Sequence, residues 1–201
     1  MRIFFDLDGT LIDSRERLYV LFKKMIPESL LSFDEYWNLK RSKINHRMIL
    51  EKDHPNVNWE SFENEWLSEI ESLQMIDLDV LYFSAIEVLK KLSANNELYV
   101  LTARQNENIL CYELEKLGIS KFFKSVLLTE GKRSKGDLLK AFKGDFSKDI
   151  LIGDTGYDVK TGKSLGMKTI VVTHGFLSEE SLRGYEPDVI VNSLEEVIEN
   201  I

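Results

Sequence analysis

Between residue 80 and the C-terminus the chain alternates short β-rich runs with helix-like stretches, and this alternation restricts the possible folds more than any other feature. The β-rich runs are Glu97 to Leu101, Ser125 to Leu128, Asp149 to Ile152, Lys168 to Val172 and Asp188 to Val191,. Around them lie Ala85 to Leu92, Asn106 to Leu117, Lys135 to Phe142, Asp158 to Leu165 and Leu194 to Ile198, each long or periodic enough to be a crossover helix,. Strands joined by helices need a parallel sheet, so the pattern predicts an α/β fold with a doubly wound parallel-sheet (Rossmann-like) core. Ile3 to Phe5 adds one buried strand at the N-terminus.

Residues 14 to about 78 break the alternation, reading as helix after helix with no strand. They predict a small all-α cap (14–78) inserted after the first strand of a core made of 1–13 and 79–201. Asp13 or Ser14 can cap its first helix, and Glu16 lies near the positive end of the dipole,. Trp37, Trp59 and Trp66 all fall in this insert and are expected to build its own core,. Charge is uneven there: Lys40, Arg41, Lys43, His46 and Arg47 cluster, whereas residues 53 to 79 carry eight acids and no lysine or arginine.

A formal charge of −8 argues against a protein that grips nucleic acid or an anionic membrane surface by general attraction, though a local site can still take a small anion,. No run of eighteen apolar residues is present and the first residues do not resemble a signal peptide, so nothing targets a membrane,. Cys111 is the only cysteine, which rules out an internal disulfide and fits the cytoplasm as the default compartment,. It is expected on the apolar side of its helix, in the core.

Asp6 and Asp8 sit two apart at the end of an apolar strand, so in extended backbone both carboxylates point one way and Leu7 the other,. Gly9 then lets the chain turn. The carboxyl ends of strands are where open α/β sheets bind ligands. Turn or cap aspartates would look the same, but two carboxylates this close repel and should raise at least one pKa. A second apolar run, Ile150-Leu-Ile-Gly-Asp154-Thr-Gly-Tyr-Asp158, ends in the same way. Together the four acids make an oxygen cluster of the kind that Mg²⁺ prefers. Thr102 ends another strand and can donate its hydroxyl to an anion beside a helix start,. Lys135 follows a polar loop, with Lys132 as a rival. The stretch Lys160-Thr-Gly-Lys-Ser164 lacks the preceding glycine of a nucleotide-binding loop,.

In this order the elements resemble the haloacid dehalogenase superfamily, specifically its phosphatases with a helical cap after the first motif. The matching segments are Asp6-Leu-Asp8-Gly-Thr10-Leu-Ile-Asp-Ser14, Thr102, a lysine best aligned with Lys135, and Gly153-Asp154-Thr-Gly-Tyr-Asp158. Gly166 to Phe176 and Pro187 to Ser193 also look like the phosphoglycolate-phosphatase-like branch. The resemblance implies an Mg²⁺-dependent phosphatase acting on a small phosphorylated substrate through an aspartyl-phosphate. Asp6 would be the nucleophile and Asp8 the acid/base, expected to hold a proton near neutral pH beside other negative charge. Asp6, Asp154 and the backbone carbonyl of Asp8 would hold the metal, Asp158 would be a ligand or orient one, and Thr102 and Lys135 would bind the phosphoryl oxygens.

Ala103 and Arg104 depart from the pair common in that branch, so Arg104 touches either substrate or surface. Lys40, Lys43 and Arg47, spaced three and four apart, are expected to share a helical face that reads the substrate's other end,. Cap closure would hinge near Ser14 and residues 77 to 82. His174 is expected at the outer edge of the site or as a structural residue. A phosphosugar mutase and a catalytically silent phosphate-binding or partner-binding module are the alternatives. Oligomeric state is not legible.

Overall fold

A computed structural model of the protein describes residues 1–142 and 144–201. In chain order the elements are β1 (Arg2–Phe5), β2 (Ile12–Asp13), α1 (Arg15–Met25), α2 (Phe33–Arg41), α3 (His46–Asp53), α4 (Trp59–Glu69), α5 (Leu73–Ile76), β3 (Val80–Leu81), α6 (Ala85–Ser93) and β4 (Glu97–Thr102). Then come α7 (Glu107–Lys116), β5 (Phe123–Leu128), α8 (Lys135–Ala141), β6 (Ile150–Gly153), α9 (Gly156–Ser164), β7 (Lys168–Val172), α10 (Glu179–Arg183), β8 (Val189–Val191) and α11 (Glu195–Glu199).

Six strands form one parallel sheet in the order β5-β4-β1-β6-β7-β8. Strand β1 is central, and its side chains divide by strand period: Ile3 and Phe5 join the apolar layer under α6, α7 and α11, while Phe4 joins the opposite layer under α8,. With both faces covered, the central strands carry almost unbroken apolar runs. From β1 the chain winds outward through β4 and β5, then returns to β6 on the other side of β1 and winds away through β7 and β8. The order reverses between β1 and β6, and a crevice opens at that point beyond the carboxyl ends of the strands. The expected doubly wound core is present.

The two-residue strands β2 and β3 pair antiparallel, Ile12 with Leu81 and Asp13 with Val80, and bracket helices α1 to α5 at their base. Leu18, Phe22, Ile26, Tyr36, Ile49, Leu50 and Phe62 form a separate apolar cluster among these helices. Trp59 and Trp66 pack on it as expected, but Trp37 packs on Phe176 of the sheet portion, with ring centroids 5.2 Å apart. Buried His46 also belongs there, 2.7 Å from the Tyr36 hydroxyl and 4.2 Å from the Trp66 ring. Ser14 precedes α1, but its side chain makes no cap hydrogen bond; Ser32, by contrast, forms a full capping box with Glu35 on α2,.

Two expectations are overturned. Lys40, Lys43 and Arg47 do not share a helix face, because α2 ends at Arg41, α3 begins at His46, and Lys43 sits between them with φ of +67°. Their spacing is helical, but the backbone between them is not. Cys111 is exposed. The buried face of α7 runs through Leu110, Glu113 and Leu114, and one residue past Leu110 the helix has already turned outward,.

Candidate active site

Asp6 follows β1 and Asp154 follows β6, so the two carboxylates flank the switch point of the sheet. Asp158 joins them from the first turn of α9, whose capping box it closes with Thr155. One oxygen from each of Asp6, Asp154 and Asp158 lies within 4.8 Å of the others, and all three residues are buried. Asp154 is held from behind: its Oδ2 accepts the Phe176 backbone N–H at 2.5 Å and its Oδ1 lies 3.4 Å from the Thr10 hydroxyl. A Cβ on Gly9 or Gly175 would collide with the Asp154 side chain, so both glycines permit this close approach,.

Lys135, at the start of α8, is buried and reaches both Asp6 (2.6 Å) and Asp158 (2.7 Å). Burial would lower its pKa, but Asp158 and Asp6 hold it above the usual lysine range. Lys132, its sequence rival, lies outside and pairs with Glu130 at 3.4 Å. Burial pushes the Asp6 carboxyl up to about 7 in spite of Lys135, and Asp158 adds repulsion. Burial, with Asp6 and Asp158 beside it, also pushes Asp154 well above the usual carboxylate range. Three buried carboxylates thus face a single ammonium. The donor set is all carboxylate oxygen and short of positive charge, which fits a divalent hard cation.

Asp8 lies elsewhere. Its carboxylate is clamped by Arg104, with Nε to Oδ2 at 2.7 Å and Nη2 to Oδ1 at 2.9 Å, and by Arg17, which bonds Oδ1. Burial alone would raise Asp8, but Arg104 and Arg17 hold its carboxyl below the usual carboxylate range. The expectation that it keeps a proton beside negative charge is therefore corrected: its neighbours are two guanidiniums, brought from α1 and from the loop after β4. Behind them, Asp79 contacts Arg17 and Arg104 at 3.1 Å each, and Glu113 contacts Arg104 at 3.1 Å. Burial pushes the Asp79 carboxyl up to about 9, against the pull of Arg17.

Thr102 ends β4, buried, with its hydroxyl accepting the Arg104 backbone N–H at 3.3 Å. Asp6, Asp8, Thr102 and Lys135 all line one cavity of about 300 Å³, together with Arg17 and Arg104. This is at the small end for ligand sites. Arg104 thus belongs to the site and not to the surface. The Lys40, Lys43 and Arg47 side chains do not line it; Lys43 rests on the Tyr185 ring and Arg47 pairs with Glu51. His174 is half-buried with Nε2 3.1 Å from the Thr10 carbonyl, a structural contact at the edge.

Arg17, Asp79 and Glu113 escaped the sequence reading. A signal was present for two of them. Arg17 shares its helix face with Leu18, Leu21 and Phe22, and Glu113 shares its face with Leu110 and Leu114. A charged residue on an apolar stripe needs a partner.

The helices of α1 to α5 close over the crevice through several contacts. Arg41 donates to the Gly175 and Thr173 carbonyls at 2.8 and 2.9 Å. Glu71 accepts the backbone N–H groups of Gln105 and Asn106 at the start of α7, both at 2.9 Å. Among the described residues no helix is long and apolar enough to cross a membrane.

Residues 3–172 match the family model of the haloacid dehalogenase-like hydrolases. Among curated proteins, the chain is 28% identical to a pyrophosphatase PpaX from Bacillus velezensis, covering 98% of this chain and 94% of that protein. It is 26% identical to a phosphoglycolate phosphatase from Aquifex aeolicus, over 89% and 87%. Among solved structures, a haloacid dehalogenase-like family protein from Streptococcus pneumoniae superposes with a TM-score of 0.81 at 22% identity, over 99% and 97% of the two chains. The family expected from the motifs and the sheet order seen here agree with these matches.

Proposed function

Because the chain belongs to the haloacid dehalogenase-like hydrolases, we propose that it is an Mg²⁺-dependent phosphatase that hydrolyses a small phosphate monoester through an aspartyl-phosphate on Asp6. The observation that carries this is the meeting of Asp6, Asp154 and Asp158 with Lys135 at the switch point, where Asp6 and Lys135 also line a cavity of about 300 Å³. Relatives named pyrophosphatase and phosphoglycolate phosphatase support the reaction class.

Asp6 and Asp154 would hold the cation with their carboxylates and Asp8 with its backbone carbonyl. Bound Mg²⁺ would neutralise the triad and the charge gathering on the phosphoryl oxygens. Asp6 attacks phosphorus, and Lys135 and Thr102 donate to the transferring oxygens. Both oxygens of Asp158 are engaged, Oδ1 by Lys135 and Oδ2 by Thr155, so Asp158 acts behind the site and fixes Lys135. Asp8 would have to take up a proton as substrate binds in order to pass it to the leaving oxygen, and, left as the carboxylate that Arg104 and Arg17 favour, would then take a proton from the attacking water,. Residues 14–78 act as the cap over a core of 1–13 and 79–201, shielding the site from bulk water during phosphoryl transfer and setting which leaving groups fit.

A sugar-phosphate mutase fits less well. Leu18, Trp66 and Ile70 give the cap wall an apolar surface with few partners for sugar hydroxyls. The test is a screen of phosphate esters with Mg²⁺ and with a chelator, in wild type and Asp6→Asn. Metal-dependent phosphate release that the variant lacks is expected. No turnover of any ester by the folded wild type would overturn the proposal.

A further inference from the structure

We propose that Arg41, the last residue of α2, is a positioning residue for the metal centre. Through the single peptide group that joins Gly175 to Phe176 it holds Asp154, so that docking of the helical insert and binding of a divalent cation favour each other. This rests on the cation site assigned above to Asp6 and Asp154, and not on turnover.

Arg41 donates to two main-chain carbonyls of the loop after β7, those of Thr173 and Gly175. Its partners there are carbonyls and not carboxylates. The Gly175 carbonyl and the Phe176 N–H belong to one peptide, and in a trans peptide they point in opposite directions,. Each has a partner: Arg41 at 2.8 Å on the carbonyl side, and Asp154 Oδ2 at 2.5 Å on the N–H side. The peptide is a rigid planar spacer between a guanidinium of the insert and a carboxylate of the metal site. Its polarity also runs the right way, because a cation on the carbonyl polarises the amide and makes its N–H a stronger donor.

This spacer has no slack. A Cβ on Gly175 would strike Asp154 and the Gly9 carbonyl, and one on Gly9 would strike Asp154 and the Phe176 ring. The clasp is reciprocal as well. The Arg41 carbonyl, one of those left open at the end of α2, accepts the Ser178 N–H at 3.4 Å and the Ser181 hydroxyl at 3.3 Å,. One turn earlier, Trp37 packs on the Phe176 ring. The loop that holds Asp154 from behind is therefore itself held by α2. A guanidinium suits the task, since its planar fork reaches two carbonyls at once where an ammonium is a single point. The contact on the other side of the crevice, Glu71 to the N–H groups of Gln105 and Asn106, bonds the start of α7 and none of the three buried acids. Coupling between two such events is mutual: if the docked insert fixes Asp154 for the cation, the bound cation stabilises the docked insert by the same factor.

The test reads cation binding without substrate. Mg²⁺ affinity is measured by calorimetry for wild type, Arg41→Gln, Arg41→Lys and Arg47→Gln, the last an exposed member of the same basic run that pairs with Glu51. Arg41→Gln is expected to bind Mg²⁺ about 5-fold or more weakly, Arg41→Lys to lie between it and wild type, and Arg47→Gln to match wild type. In wild type, Mg²⁺ is expected to slow backbone hydrogen exchange in the last turn of α2, and to do so much less in Arg41→Gln. An unchanged Mg²⁺ affinity in Arg41→Gln, even with lowered stability to urea, overturns the proposal, because that is what a merely structural clasp would give. So does protection by Mg²⁺ that is confined to the sheet portion. If Arg41→Gln does not fold, Arg41→Lys is compared with wild type, and equal affinities overturn it. Failure of the parent reading looks different: a folded wild type that binds no Mg²⁺ sinks both, whereas binding that depends on Arg41 without turnover of any ester sinks the phosphatase function alone.

Discussion

Asp6 and Asp8 lie two residues apart, yet they sit in charge environments of opposite sense. Around Asp6, three carboxylates share one ammonium, that of Lys135, and the group lacks positive charge. Around Asp8, two guanidiniums face Asp8, Asp79 and Glu113, and because burial pushes Asp79 up to about 9 that group is close to neutral at pH 7. Both clusters are buried, so neither can rely on water to screen it. The first can be completed by a divalent cation; the second is already complete, and anything that enters must displace a partner. Burial is therefore a poor guide to the role of an acid until its counter-charges are counted.

The largest effects should come from breaking the Asp6 cluster. Asp6→Asn is expected to lower kcat by at least about 10⁴-fold, since it removes the proposed nucleophile, and steady-state phosphate release measures it. Asp8→Asn should cost less, about 10²–10⁴-fold, because it removes proton transfer and not the nucleophile. An equal loss in both variants would show that the two clusters act as one.

Lys135→Met removes the one ammonium that, among the described residues, pairs with the triad, and is expected to lower kcat by about 10²–10³-fold, with KM for Mg²⁺ reduced or unchanged because a competing cation is gone,. A loss confined to substrate KM would place Lys135 outside the reaction.

The pH profile sharpens the contrast without mutation. As the proposed nucleophile Asp6 would have to be ionised to attack, and burial holds its pKa up to about 7 while no cation is bound. At limiting Mg²⁺ the rate should fall as pH drops through about 7; saturating Mg²⁺ favours the ionised form and should move that limb to lower pH. An immobile limb would mean that the metal does not touch Asp6.

The smallest effect belongs to the arginine cluster. Asp79 has a folded pKa of about 9, raised above its unfolded value, so its contribution to stability is full below about pH 4 and is lost as pH rises towards 9,. The stability of wild type relative to Asp79→Asn should fall with pH in that window, by up to ~1.4 kcal/mol per pH unit. Urea denaturation at pH 6 and pH 8.5 checks the sign. A difference independent of pH would mean that Asp79 stays ionised between its two arginines.

Several parts of this molecule are legible one residue at a time. The alternation after residue 80 gives the parallel sheet because strand and helix periods are local, and β1, β4, β6, β7 and β8 fall where short apolar runs place them. Asp6, Thr102, Lys135 and Asp154 were readable because each ends a strand or begins a helix, and strand ends in such a sheet converge. Residue spacing failed where the backbone departed from helix, as at Lys43, and where a helix face turned outward within one residue, as at Cys111. The state of Asp8 was not readable at all. Arg17 comes from the insert, Arg104 from the loop after β4 and Asp79 from the residue just before β3, the strand that closes the insert. Their meeting is a property of the closed tertiary structure, since electrostatic energy depends on distance in space and on burial, neither of which is written in the order of residues. By itself the amino-acid order determined the sheet, the family and the residues around Asp6. Only the tertiary structure decided which charges surround Asp8.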